Sequence, residues 1–217
     1  MLTLLFGLGG YLLVIRRWLV SWGTNPAETR QPLPGDELVP SPSLETTRAI
    51  TIQASPAKIW PWLVQVGYRR AGFYSYDYLE RMAGVDITNT NRILPEFQTL
   101  RLGDEVHIAP ETPLYVKVLD PERALVLHTI MNPFNAQIVN LDIPNPGAYL
   151  DWSWAFVLKE IDLNRTRLLI RVRGNYEPRV IIKAIIPFVL DPIHFLMERK
   201  MLLEIKHRTE RMSQRNE

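Results

Sequence analysis

The 217-residue chain contains no cysteine. Disulfides, thiolate metal sites and thiol nucleophiles are thereby excluded, and the absence fits a reducing compartment. Charge excess is equally scarce. Lys and Arg number 25 against 23 Asp and Glu, a net charge of +2, which gives no reason for a nucleic-acid partner. The signatures of several enzyme classes are missing as well. The sequence has no GxSxG, no HExxH, no P-loop and no paired histidines at metal-ligand spacing, so neither a metal nor a cofactor is expected. Gly7-Leu8-Gly9-Gly10 is not a dinucleotide fingerprint, because its spacing is not GxGxxG and no strand can precede it.

What is present divides into three parts. Residues 1–22 open with Leu2 to Ile15, a charge-free apolar run followed by Arg16-Arg17 and by Trp18 and Trp22. Fourteen helical residues reach only about 21 Å, whereas about 20 residues are needed to cross a bilayer. The reading adopted is a membrane anchor or interfacial helix, with both arginines reaching for headgroups and both tryptophans at the interface. A buried helix of the domain is the alternative. A cleaved leader is disfavoured because the positive charge follows the run. As an anchor, this segment places the rest of the chain on the cytoplasmic side. Residues 23–45 contain five prolines between Gly23 and Leu44 and read as a linker, or as a strap over the domain surface. Residues 46–213 form the folded domain. Over the whole chain, 47% hydrophobic and 22% charged residues suit a globular protein.

Within the domain, Thr47 to Ala54 alternates as a first strand. Ser55-Pro56 starts a helix carrying Ile59, Trp62, Leu63 and Val66 on one face and ending at Gly67. A second short helix is expected over Tyr74 to Met82. Strands follow at Asp104 to Ile108, Leu114 to Leu119, Ala124 to Ile130, Trp152 to Glu160 and Arg165 to Arg173. Asp191-Pro192 begins a long C-terminal helix in which Phe195 and Leu202 recur at seven-residue spacing. Hairpin-length gaps favour antiparallel pairing. The fold class is therefore α+β: a curved antiparallel sheet of six or seven strands wrapped around the C-terminal helix in a helix-grip, with two short helices after the first strand and an apolar helix at the N-terminus.

That order, with SPAKIWPWLVQVGYRRAGFYSYDYLE and DPIHFLMERKMLLEIKHRTE, resembles the SRPBCC superfamily of START, Bet v 1-like and polyketide cyclase-like proteins. LPGDEL at residues 33–38 and ILPEFQ at residues 93–98 resemble segments of a bacterial, membrane-anchored subgroup. The resemblance implies a ligand cavity between sheet and C-terminal helix. It implies no single activity, because such a fold hosts carriers and cyclases alike.

Seven aromatic residues between Trp60 and Glu80 offer lining for an apolar pocket, or glue between helices and sheet. Candidate ligand-binding residues are Trp62, Tyr74, Tyr78, His128, Trp152, Trp154, Phe195 and Met201. His128 lies in an otherwise apolar strand, as a hydrogen-bonded core histidine or a pocket acid/base. His194 and Glu198, at i and i+4, are a bridged pair or two of the ligands a metal would need. Arg165, Arg167, Arg171 and Arg173 fall on one strand face and read as a solvated convex surface paired with acids such as Asp151 or Glu160. Val180 to Leu190 is almost wholly apolar, either buried against the sheet or a gate dipping into the bilayer. Two functions stand open: a binder of an apolar small molecule or lipid near a membrane, and a cyclase- or aromatase-like enzyme using weak acid/base groups.

Overall fold

Period-two patterning produces the sheet. In the computed structural model, which describes residues 11–82, 84–178 and 185–215, six strands pair antiparallel throughout. They are β1 Leu44–Ile52, β2 Glu105–Ala109, β3 Thr112–Asp120, β4 Ala124–Met131, β5 Tyr149–Asp162 and β6 Arg165–Glu177. Their order is β1-β6-β5-β4-β3-β2, so the first two strands in sequence form opposite edges. Every expected strand forms, with ends within four residues of those read from the pattern. The long C-terminal helix packs against one face of this curved α+β sheet.

The helices are α1 Arg16–Val20, α2 Pro26–Arg30, α3 Pro56–Val64, α4 Asp77–Met82 and α5 Asp191–Arg215. Helix α3 buries Ile59, Trp62 and Leu63 as its spacing predicts. Helix α4 is shorter than expected at its start. Tyr74 holds a left-handed φ of 54°, incompatible with a helical turn, and its N–H donates to the Asn89 side chain. Helix α5 does not begin on a fresh cap at Asp191. A π-helical turn, Ile186–Leu190, runs straight into it, and the Asp191 carboxylate accepts from Arg16 Nε at 2.7 Å instead. Phe195, Leu202 and Ile205 of α5 are buried.

Register assigns the two faces. Trp152, Trp154, Phe156, Leu168, Ile170 and Val172 share the face toward α5. Asp151, Ser153, Ala155, Arg167, Leu169, Arg171 and Arg173 share the other. That convex face is covered. The segment before β1 lies across it, with Leu33 packed on Ala49, Val157 and Leu169. Arg171, expected in solvent, is buried and donates to the carbonyls of Glu28, Thr29 and Gln31 and to Asp36 at 2.7 Å. Arg167 grips both Glu28 carboxylate oxygens at 2.8 and 2.9 Å, which holds that carboxyl below its usual value. Arg165 and Arg173 keep exposed partners, Asp162 and Glu45. The expected acids Asp151 and Glu160 are therefore replaced by Glu28 and Asp36 of the strap.

The membrane-anchor reading of residues 1–22 finds no support among the described residues. Residues 1–10 lie outside the described residues, and no helix among the described residues is long and apolar enough to cross a membrane. A π-helical turn, Tyr11–Ile15, leads into α1, which packs on the domain. Leu19 is buried, Arg16 pairs with Asp191 rather than a headgroup, and Trp22 meets the Phe195 ring edge-on at 6.4 Å. The apolar segment at 180–190 is only partly described. Within residues 185–190 Ile186 alone is buried, while Phe188, Val189 and Leu190 are nearly half exposed, so burial against the sheet does not account for them.

Candidate functional site

Between β5 and α5 lies a cavity of about 490 Å³. Its floor is the Trp152–Trp154 pair, two rings on alternate residues of one strand, stacked 6.0 Å apart at 15°. One wall is α5, which presents Ile193, His194, Met197, Glu198 and Met201, a set at i, i+3 and i+4 spacing. The roof is α4 with its flanking loops, through Leu79, Glu80, Met82, Phe73, Ser75, Val85 and Ile87, and Ile108 of β2 completes the lining. Size and apolar character match a small-molecule site.

The polar groups at this cavity fall into two sets. Glu198 is fully engaged. It forms a buried ion pair with Arg48 of β1 and accepts from Trp154 Nε1 at 3.3 Å. The same Arg48 donates through Nε to the Leu19 carbonyl at 2.8 Å and reaches His194 Nδ1 at 3.3 Å. A guanidinium can only donate, so Nδ1 is the acceptor and the imidazole proton sits on Nε2, 3.6 Å from Glu198 Oε1. Burial chiefly, with Arg48 adding to it, pushes His194 below its ordinary value and keeps the ring neutral. His194 and Glu198 are thus a bridged pair. Among the described residues, no three His, Asp or Glu side chains gather as a metal-ligand set.

The second set has no partners. Glu80 is 3% exposed, yet neither of its carboxylate oxygens meets a hydrogen-bond partner among the described residues. Ser75 Oγ is likewise buried and unpartnered. Both line the cavity. Burial, helped by the neighbouring Asp77 charge, raises the Glu80 carboxyl to about 7. Buried polar groups are normally paired, and these two orphans border the same cavity.

Of the residues chosen from sequence, Trp152, Trp154 and Met201 line this cavity. The others lie elsewhere. Trp62 is buried against Tyr74, ring centroids 5.8 Å apart, and borders a separate, more polar cleft with Arg92, Glu204 and Arg208. Tyr74 is sealed in the core, where its hydroxyl accepts from Gln65 and donates to the Trp62 carbonyl, and burial raises its phenol. Tyr78 is 57% exposed beside Tyr76. Phe195 packs beneath Trp18 at 5.0 Å, under the Arg48 guanidinium rather than in the cavity. His128 points to the opposite side of the sheet, because strand alternation pairs it with Ser153, and its Nε2 meets Asp151 at 2.8 Å. Glu80, Ser75 and Met197 escaped the sequence reading. Glu80 sits in DYLERM, a string indistinguishable from a solvated helix face.

No family model matches the chain, and no curated protein does. Among solved structures, a hypothetical protein of Helicobacter pylori aligns with TM-score 0.47 at 12% identity, over 86% of this chain and 98% of its own. The Aha1 dimer from Colwellia psychrerythraea aligns with TM-score 0.39 at 17% identity, over 77% and 97%. DynU16, from the dynemicin biosynthetic locus, aligns with TM-score 0.39 at 10% identity, over 74% of this chain and 46% of its own. Superpositions this loose leave function to be argued from the site.

The Glu80 carboxyl carries a pH consequence. Folded, it keeps its proton up to about pH 7, while in the unfolded chain it loses it near the ordinary value of 4.5. The folded state thus binds more protons across that window, so this group's contribution falls as pH rises from 4.5 to 7 and is level beyond. Glu80→Gln removes the penalty. Its thermal midpoint should exceed the wild-type value by about 7–14 °C at pH 8 and converge with it near pH 4.5. The same difference at both pH values would contradict the assignment.

Proposed function

We propose that this chain is a helix-grip protein of the SRPBCC type that holds an apolar small molecule or lipid between β5 and α5. The observation that carries the reading is the cavity itself, about 490 Å³ lined mainly by Trp, Phe, Leu, Ile, Val and Met side chains. Filling such a space with an apolar ligand removes hydrocarbon from water at about 25 cal/mol per Å². For the alternative, a cyclase- or aromatase-like enzyme using weak acid/base groups in the pocket, His128 is not available, because it lies on the far face of the sheet hydrogen-bonded to Asp151.

A membrane-facing mouth belongs to the same proposal. Val14, Ile15 and Trp18 are exposed on the N-terminal segment, and Phe188, Val189, Leu190 and Ile193 are exposed at the start of the C-terminal one. Tyr11 stacked on Phe188 at 5.3 Å and the Arg16–Asp191 ion pair hold the two segments side by side. Ile193 also lines the cavity, so this apolar surface adjoins its entrance. Contact is with one leaflet and does not require a span.

Two experiments follow. Native mass spectrometry of protein extracted gently from its own cells should show an adduct of a few hundred daltons. Met197→Trp, which fills the cavity from α5, should lose about nine-tenths of it while retaining the far-ultraviolet spectrum. An adduct equally abundant in Met197→Trp would place the ligand elsewhere. Separately, the full chain should float with liposomes, and Phe188→Asp with Val189→Asp should reduce the floating fraction severalfold. Unchanged flotation in that double variant would remove this surface from the proposal.

A further inference from the structure

The cavity is apolar along most of its wall, but one end is not. Glu80 on α4 and Ser75 just before it bring three buried oxygen atoms to the lining with no hydrogen-bond partner among the described residues. The other titratable side chains of the lining are already engaged. Glu198 on α5 is neutralised by Arg48 of β1, and His194 accepts from the same guanidinium. Asp77, on Glu80's own helix, adds a second negative charge. Among the described residues, no Lys or Arg lines the cavity to meet Glu80.

We propose that Glu80 and Ser75 form a head-group subsite that selects an amphiphile ending in a primary amine and rejects one ending in a carboxylate. This deepens the ligand-binding reading and rests on it. An ammonium group has three N–H donors, enough for both carboxylate oxygens and the serine hydroxyl. Its hydrogen bonds to a carboxylate are charge-assisted, roughly twice as strong as neutral ones. An alcohol head offers one donor and no charge. An anionic head could meet Glu80 only while that carboxyl keeps its proton, so above about pH 7 it would face the negative charges of Glu80 and Asp77. The Glu80 carboxyl, poised near neutrality, ionises at little cost when a cation arrives, so amine binding should strengthen as pH rises from about 6 to 8.

The test uses three ligands with one tail: dodecylamine, dodecanol and dodecanoate, titrated below their aggregation limits. Quenching of the fluorescence of Trp152 and Trp154 reports occupancy. The amine should bind about tenfold tighter than the alcohol, and dodecanoate weakest. Glu80→Gln should abolish the amine preference and its pH dependence while leaving dodecanol within about twofold. Equal affinity for all three heads in the wild type would overturn the subsite while leaving the cavity reading intact. So would dodecanoate binding tightest, or equal weakening of all three ligands by Glu80→Gln, which would mark the residue as structural. Failure of every ligand to bind would overturn the cavity reading, and the subsite with it.

Discussion

One buried charge organises this molecule. Arg48 stands on the concave face of β1, on the same side as Ile50 and Ile52, with no exposed surface. A guanidinium cannot shed its charge there, so it must be matched on the spot. Glu198 matches it from α5, the Leu19 carbonyl from the end of α1, and His194 from one turn earlier on α5. Three separate parts of the chain meet on a single side chain. Removing one member of such a pair costs about 3–5 kcal/mol, because the survivor is left charged and unpaired. The position of α5 above the sheet is therefore fixed by charge as well as by Phe195, Leu202 and Ile205.

The cavity takes its chemistry from the same pair. Glu198 spends its two oxygens on Arg48 and on the Trp154 indole, which sets the tilt of the floor and removes that carboxylate from service to a ligand. Arg48 also denies His194 a second charge by donating to its Nδ1. What remains unspent is Glu80. A cavity with one satisfied acid and one orphaned acid has a direction, with a polar end under α4 and an apolar run along Met197, Met201 and the two tryptophans. Where the apolar surface around Phe188 and Ile193 adjoins it, a tail could enter without crossing much water.

How far the sequence spoke depended on whether one face or two were buried. The hairpin strands and α5 were legible because alternation and seven-residue spacing survive wherever one side meets solvent. They fail where the strap covers the second face. In Leu125-Val126-Leu127-His128-Thr129 every side chain is buried, so no polar residue marks outward, and the facing of His128 could not be read. The arginines of β6 misled for the same reason. Four charges on one strand face look solvated, but Arg171 is buried because residues 28–36 supply it with carbonyls and Asp36. Arg48 did leave a signal in TRAITI, a lone charge on an otherwise apolar strand face, which calls for a buried acid such as Glu198. Glu80 left none, since its burial comes from the roof that α4 forms over the cavity.

The account depends most directly on where a ligand sits. The chain has six tryptophans, of which Trp152 and Trp154 form the floor of the cavity while Trp60 and Trp62 stand apart on α3. With 5-fluorotryptophan in all six positions, assigned by single Trp→Phe variants, saturation with a dodecyl amphiphile can be followed by fluorine NMR. The Trp152 and Trp154 resonances should shift or broaden together while Trp60 and Trp62 stay fixed. Shifts at Trp62 with none at Trp152 and Trp154 would place the ligand in the cleft beside Arg92 and contradict the account.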